Sequence, residues 1–128
     1  MSKMPKLLIV EDDEWIVKIF SKVLSPKFEI TIAQTIHEFY SSIKDSIYDV
    51  FLIDLSLRAD KNGLELIQEL RQSETYLHTP IVVVTANVLR KDRENSLKAG
   101  ATKFIAKPVE NSILLQEFSE LFPETIDK

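Results

Sequence analysis

Two patterns of hydrophobic and polar residues alternate along the chain. Short runs that are mostly apolar predict strands, whereas apolar residues three and four positions apart predict amphipathic helices. The predicted strands cover residues 6–10, 28–33, 50–54, 80–86 and 103–106. The predicted helices follow them at residues 14–24, 35–46, 63–72, 90–100 and 110–122.

Five successive strand–helix units predict an α/β protein in which helices cover both faces of a parallel sheet. The first, third and fourth strands are apolar throughout, as expected for central strands buried on both sides. The second strand, "FEITIA", alternates apolar and polar residues and should therefore lie at an edge. The length of 128 residues suits one domain, residues 1–128.

Local signals refine three of the helix ends. Thr35 and Glu38 have the spacing of a capping box at the start of the second helix. Asp13 is placed to cap the first helix, and Gly100 follows the fourth helix as a C-terminal stop signal.

The composition excludes several classes of function. The formal net charge is −4, which argues against direct nucleic-acid binding, because that usually depends on a basic surface. The absence of cysteine excludes disulfides, thiolate zinc sites and cysteine nucleophiles. The apolar runs are too short to span a membrane or to form a secretory signal, so we expect a cytoplasmic protein.

Residues with charged or hydroxyl side chains follow four of the predicted strands. In an open α/β sheet, ligands bind beyond the carboxyl ends of the strands. The residues found there are Glu11, Asp12, Asp13, Asp54, Thr85 and Lys107. Each has an ordinary structural explanation when taken alone, and for Asp13 we prefer that explanation. Clustered carboxylates repel one another, however, and a hard cation such as Mg²⁺ offsets that charge through oxygen ligands.

Four segments together point to a known family. "LLIVEDD", "FLIDLSL", "IVVVTA" and "GATKFIAKP" resemble, in order and spacing, the receiver (CheY-like) domain of two-component response regulators. The resemblance covers about the whole chain. It implies a flavodoxin-like (βα)5 fold, with a doubly wound parallel sheet of five strands in the order 2-1-3-4-5.

The resemblance implies a phosphoryl-accepting site at the carboxyl ends of the strands. Asp54 corresponds to the aspartate that accepts the phosphoryl group, since a carboxylate can act as a nucleophile toward phosphorus. Glu11 and Asp12, together with Asp54 and the backbone carbonyl of Ser56, correspond to the ligands of Mg²⁺ (or Mn²⁺).

Three further positions correspond to groups that bind the phosphoryl oxygens. These are the hydroxyl of Thr85, the backbone N–H of Ala86 and the ammonium group of Lys107, whose bond to Pro108 is cis in the family. Thr85 also corresponds to one half of the family's conformational switch, and Phe104 on the last strand corresponds to the other half.

The same resemblance implies the partners. A sensor histidine kinase or a phosphotransfer protein would donate the phosphoryl group. The face formed by the fourth helix, fifth strand and fifth helix would signal to an output protein or an attached output domain of unknown identity. No enzymatic activity beyond the domain's own phosphorylation and dephosphorylation is expected, and neither is membrane binding.

The chain departs from the family pattern in two places. Arg58 stands where proline is common, and the loop that leads to Gly63 is one residue longer than usual. In the OmpR/PhoB-like subfamily, acidic residues at the start of strand 5 pair with basic residues of helix 5 across a dimer. Here those strand positions are Thr102 and Lys103, and "ENSILLQEFSELF" contains no Lys or Arg. We therefore do not expect that salt-bridged dimer.

Three other functions remain as alternatives. A small phosphatase with an aspartyl-phosphate intermediate usually needs a second aspartate two residues after the nucleophile, where this chain has Ser56. A non-phosphorylated pseudo-receiver, acting as a pure binding module, would be expected to lack part of the acidic pair, the Asp or the Lys. A flavodoxin would share the fold, but the acids after the first strand would repel a flavin phosphate.

Overall fold

The computed structural model describes residues 4–56, 62–86 and 90–123. Strands and helices alternate as the sequence predicts, with boundaries within two residues of the expected ones. The strands are β1 (Lys6–Val10), β2 (Glu29–Ala33), β3 (Val50–Ile53), β4 (Ile81–Thr85) and β5 (Lys103–Ala106). The helices are α1 (Glu14–Leu24), α2 (Ile36–Asp45), α3 (Gly63–Gln72), α4 (Arg90–Ala99) and α5 (Asn111–Leu121).

All five strands are parallel and form one sheet in the order β2-β1-β3-β4-β5. This order confirms the predicted fold, with β1, β3 and β4 in the centre and β2 at an edge. Val10 lies opposite Ala33 on one side and Ile53 on the other, so the carboxyl ends of these strands are level. Residues that follow the strands are therefore brought to one rim of the sheet.

The alternation of side chains along the strands creates two cores, one on each face. Leu8 and Val10 belong to the core that includes Phe39 of α2 and Leu66 of α3. On the other face the core side chains from the sheet and from α1 and α5 include Leu7, Ile9, Phe20, Leu24, Leu114 and Phe118. Because β1, β3 and β4 are packed from both sides, their ends provide a rigid base for the site.

The helix caps agree with most of the local predictions. Asp13 caps α1 by accepting hydrogen bonds from the backbone N–H groups of Trp15 and Ile16. Thr35 caps α2 by accepting from the N–H of Glu38. The Glu38 carboxylate accepts from the N–H of Gln34, one residue before the cap, so the predicted reciprocal box is displaced by one residue.

The C-terminus of α4 is held by a network around one arginine. Gly100 has a φ of +122° and ends the helix, with its N–H and that of Ala101 donating to the carbonyl of Ser96. Arg71, at the end of α3, donates from Nε to the carbonyl of Gly100 (2.9 Å). Its Nη1 donates to the carbonyls of Tyr76 and Thr79, each at 2.7 Å. One side chain therefore joins α3, the loop before β4 and the end of α4.

Strand β5 and helix α5 are joined by ion pairs within the chain. Lys103 Nζ lies 2.6 Å from a carboxylate oxygen of Glu117 and 2.5 Å from one of Glu120. These acids are thus already paired with a cation of the same chain.

No helix among the described residues is both long and apolar enough to cross a membrane. The loop residues 57–61, which include Arg58 and the predicted extra residue, lie outside the described residues.

Candidate functional site

The backbone positions of the candidate residues are set by hydrogen bonds that extend the sheet beyond its strands. The N–H of Glu11 donates to the carbonyl of Ala33 (3.1 Å), and the N–H of Asp54 donates to that of Val10 (3.0 Å). The N–H of Lys107 donates to the carbonyl of Thr85 (2.9 Å). These bonds fix the backbone of residues that follow three different strands.

An ammonium group lies between two buried carboxylates. Lys107 Nζ donates to Glu11 Oε1 at 2.7 Å and to Asp54 Oδ2 at 3.1 Å. Glu11 is 1% exposed and Asp54 is 3% exposed, so neither carboxylate has much access to water. The repulsion expected from the sequence is therefore partly offset by Lys107, a role in this state that the sequence did not suggest.

Burial and neighbouring charges shift the pKa values of both Glu11 and Lys107. Burial raises the pKa of Glu11 to about 7, assisted by the nearby charge of Asp54 and opposed by the bond from Lys107. Burial also acts to lower the pKa of Lys107, but the bond to Glu11 and the charge of Asp54 outweigh it and raise that pKa. The ammonium form of Lys107 is thus favoured inside the site.

Both oxygens of Asp54 have hydrogen-bond donors. Oδ2 accepts from Lys107, while Oδ1 accepts from the backbone N–H of Ser56 at 2.9 Å. The hydroxyl of Ser56 lies 3.3 Å from the hydroxyl of Thr85, which is fully buried at the end of β4. Ser56 therefore contacts both the candidate nucleophile and the candidate switch residue, a contact that the sequence reasoning missed.

Three carboxylates form a group suited to a hard metal ion. Oxygens of Glu11, Asp12 and Asp54 all lie within 4.8 Å of one another. Their donor set consists of oxygen alone, as Mg²⁺ prefers. Asp13, by contrast, uses its carboxylate for the α1 cap. The residues present therefore fit the cation that the resemblance implies.

Gly63 approaches the backbone of the site closely. A Cβ atom at this position would lie 2.6 Å from the carbonyl oxygen of Asp54 and 2.9 Å from the Cα of Leu55. Contacts that short do not occur without displacement of the neighbour. The start of α3 thus packs directly against the segment that presents Asp54.

The remaining predicted residues lie on or beside β4 and β5. Ala86 follows Thr85 and is exposed. Phe104 lies opposite Val83 and packs, half-buried, against the core beneath α2 and α3. Since side chains two residues apart share a face of a strand, Thr85 lies on the same face as Val83 and Phe104. The Lys107–Pro108 peptide bond is cis.

A surface cavity of about 690 Å³ lies elsewhere, near Lys6, Glu29 and Asp49. These residues lie at or beside the amino-terminal ends of strands, opposite to the carboxylate rim. The cavity has no part in the arrangement around Asp54.

Residues 7–119 match the family described as the response regulator receiver domain. The chain belongs to this family. The receiver resemblance noted in the sequence is thereby confirmed. Acceptance of a phosphoryl group and dependence on Mg²⁺ are general properties of receiver domains.

Similar proteins occur in different contexts. The transcriptional regulatory protein DltR of Streptococcus agalactiae is 32% identical over 111 residues, which are 86% of this chain and 48% of DltR. Hybrid signal transduction histidine kinase B of Dictyostelium discoideum is 31% identical over 125 residues, 88% of this chain but 6% of that protein. The chain therefore spans less than half the length of either relative.

Among solved structures, a CheY-like response regulator receiver domain protein from Methanospirillum hungatei superimposes with a TM-score of 0.83. It is 28% identical in sequence, and the match covers 98% of each chain. This likeness extends the agreement from the motifs to the whole backbone.

Proposed function

We propose that this receiver accepts a phosphoryl group on Asp54 from the phosphohistidine of a sensor kinase or a phosphotransfer protein. The observation that carries the proposal is the position of Asp54, buried at a strand end between Lys107 and the carboxylates of Glu11 and Asp12. The exchange takes place in the cytoplasm in this proposal.

The reaction uses groups that lie at the same rim of the sheet as Asp54. An oxygen of Asp54 attacks the phosphorus atom, a P–O bond forms, and the P–N bond to the donor histidine breaks with its electron pair left on nitrogen. Lys107, which already contacts Asp54, then pairs with a phosphoryl oxygen. The Thr85 hydroxyl and the Ala86 N–H donate to the other oxygens, so that fixed donors stabilise the transferred charge.

The divalent cation belongs to the same proposal. Glu11, Asp12, Asp54 and the backbone carbonyl of Ser56 would hold Mg²⁺, or Mn²⁺ in its place, which supplies positive charge against the phosphoryl oxygens. The cation would then offset part of the repulsion between the acyl phosphate and the carboxylates of Glu11 and Asp12.

Thr85 and Phe104 would convert phosphorylation into a change of surface. When the Thr85 hydroxyl turns toward the phosphoryl group, it vacates space on the face of β4 that it shares with Phe104, and the Phe104 ring would rotate inward. Burial of an aromatic ring is worth about 1–3 kcal/mol, enough to bias two conformations but not to populate one exclusively.

The altered surface would be the face formed by α4, β5 and α5, and its partner an output protein or an output domain. Two relatives in which a similar segment is part of a longer protein, a transcriptional regulator and a hybrid kinase, support an attached domain. A phosphatase is less well supported, because Ser56 has no carboxylate with which to act as acid or base.

The phosphorylation proposal is tested with acetyl phosphate and Mg²⁺, followed by intact-protein and peptide mass spectrometry. We expect one phosphoryl group, on Asp54, and none in Asp54→Asn. Asp13→Asn is a matched control, because asparagine also caps helices well, and it should be phosphorylated like the wild type. Phosphorylation of Asp54→Asn at the wild-type rate would refute the assignment.

The switch proposal is tested by amide chemical shifts with and without beryllofluoride. Thr85→Ala should still bind beryllofluoride but lose the response of residues in β5 and α4. If those resonances move as far in Thr85→Ala as in the wild type, Thr85 is not the coupling residue.

A further inference from the structure

Ser56 joins two neighbouring strand ends through two different parts of the residue. Its backbone N–H donates to Asp54 Oδ1 at 2.9 Å, and its side-chain hydroxyl lies 3.3 Å from the hydroxyl of Thr85. Asp54 follows β3, whereas Thr85 ends β4. The first contact survives most substitutions at this position, because it is made by the main chain, while the second depends on the side chain.

We propose that the Ser56 hydroxyl is a positioning group that holds Thr85 in its resting orientation and so opposes activation. This inference rests on the proposed function, in which Thr85 turns toward a phosphoryl oxygen. It assigns to Ser56 a part in the conformational equilibrium, separate from its backbone carbonyl at the cation.

A long contact between two hydroxyls is sensitive to the orientation of Thr85. Either hydroxyl can be the donor, and where Thr85 donates, its one proton cannot serve Ser56 and a phosphoryl oxygen at the same time. At 3.3 Å the oxygen–oxygen distance is already near the upper limit for a hydrogen bond, and a small shift of Thr85 would break it. The contact therefore belongs to the resting state and is lost when the switch operates.

The strength of the contact sets the size of the effect. A neutral hydrogen bond in a protein typically changes an equilibrium constant by about two- to tenfold. Ser56 is exposed, so water can replace Thr85 as its hydrogen-bond partner. Thr85 is buried, so water cannot as easily replace Ser56 beside the Thr85 hydroxyl. Removal of the Ser56 hydroxyl should accordingly favour the active conformation by a factor in this range.

The test compares beryllofluoride binding, measured by NMR titration with Mg²⁺, in a double-mutant cycle. Ser56→Ala should bind beryllofluoride about two- to tenfold more tightly than the wild type. Ser56→Thr, which keeps the hydroxyl, should restore the wild-type affinity. In a Thr85→Val background, Ser56→Ala should have no effect. Ser41→Ala, an exposed serine on α2, serves as the matched control.

A second readout needs neither metal nor beryllofluoride. In the unliganded protein, the amide resonances of residues 83–86 and 103–106 should move in Ser56→Ala toward their positions in the beryllofluoride-bound wild type. A substitution that merely loosened the fold would not move these resonances toward their positions in the beryllofluoride-bound wild type.

The outcomes separate the two proposals. If the wild type does not respond to beryllofluoride, the proposed function fails and this inference falls with it. If the wild type responds but Ser56→Ala binds and shifts as the wild type does, the inference alone is overturned. Weaker binding by Ser56→Ala would also overturn it, because the hydroxyl would then contact the phosphoryl group instead.

Discussion

At the scale of single residues, Lys107 offsets part of the negative charge around Asp54. Its ammonium group contacts Glu11 and Asp54 at once, so these two acids already share a cation of the same chain. A phosphoryl group that draws Lys107 away would leave Glu11 with less compensation. Protonation of Glu11 and the position of Lys107 are thus linked.

Glu11 should give the metal-free protein a characteristic pH dependence. Because the pKa of Glu11 rises from 4.5 to about 7 on folding, the folded state binds more protons than the unfolded state between these values. Its contribution to stability is therefore full below pH 4.5 and is lost as the pH rises through about 7. Urea unfolding across this range should show a decline in the wild type that Glu11→Gln lacks. Parallel curves for the two proteins would contradict the raised pKa.

At the scale of elements, most strands and helices were predictable because the strands are short apolar runs and most of the helices repeat apolar residues three and four positions apart. The apolar strand Val50–Ile53 and the helix Glu14–Leu24 needed no tertiary information. The contacts of Arg71 were not predictable, since its acceptors are carbonyls whose positions depend on the folded loops. The same holds for Gly63. From the sequence it is an ordinary residue at the start of a helix, and only the structure shows how closely it packs against the Asp54 backbone.

Arg71 should be more important to stability than its position at a helix end suggests. Arg71→Lys keeps the charge but cannot serve carbonyls of Gly100, Tyr76 and Thr79 together, so we expect a loss of about 1–3 kcal/mol in the free energy of unfolding. Lys103→Met is the comparison, because its partners Glu117 and Glu120 are partly exposed to water, and it should lose less. Equal losses in urea unfolding would count against the arginine network.

At the scale of the whole molecule, the strand order and the expected roles of the site residues were predicted from the resemblance. The central and edge positions of the strands were predicted from the residues themselves. The alternating pattern of β2 was enough to place it at an edge. The hydroxyl pair of Ser56 and Thr85 could not be predicted, because it depends on how β3 and β4 lie side by side.

Binding of Mg²⁺ should stabilise the entire domain. A ligand that binds only the folded state, at a concentration about 100 times its dissociation constant, adds about 2.7 kcal/mol to the free energy of unfolding. We expect the melting temperature to rise with Mg²⁺ in the wild type and in Asp13→Asn, but not in Asp12→Asn. Trp15, 70% exposed just beyond the acids, offers a fluorescence readout of the same titration. An unchanged response in Asp12→Asn would remove Asp12 from the site.

The contact of Gly63 with the Asp54 backbone has a consequence for how this protein can change during evolution. Nine positions separate the two residues in the chain, yet a single added carbon at one would displace the other. In a library of random variants selected for signalling, position 63 should therefore tolerate substitution as poorly as position 54, the proposed site of phosphorylation. Substitutions at position 63 would fail because any side chain collides with the Asp54 backbone, and not because a functional group is lost.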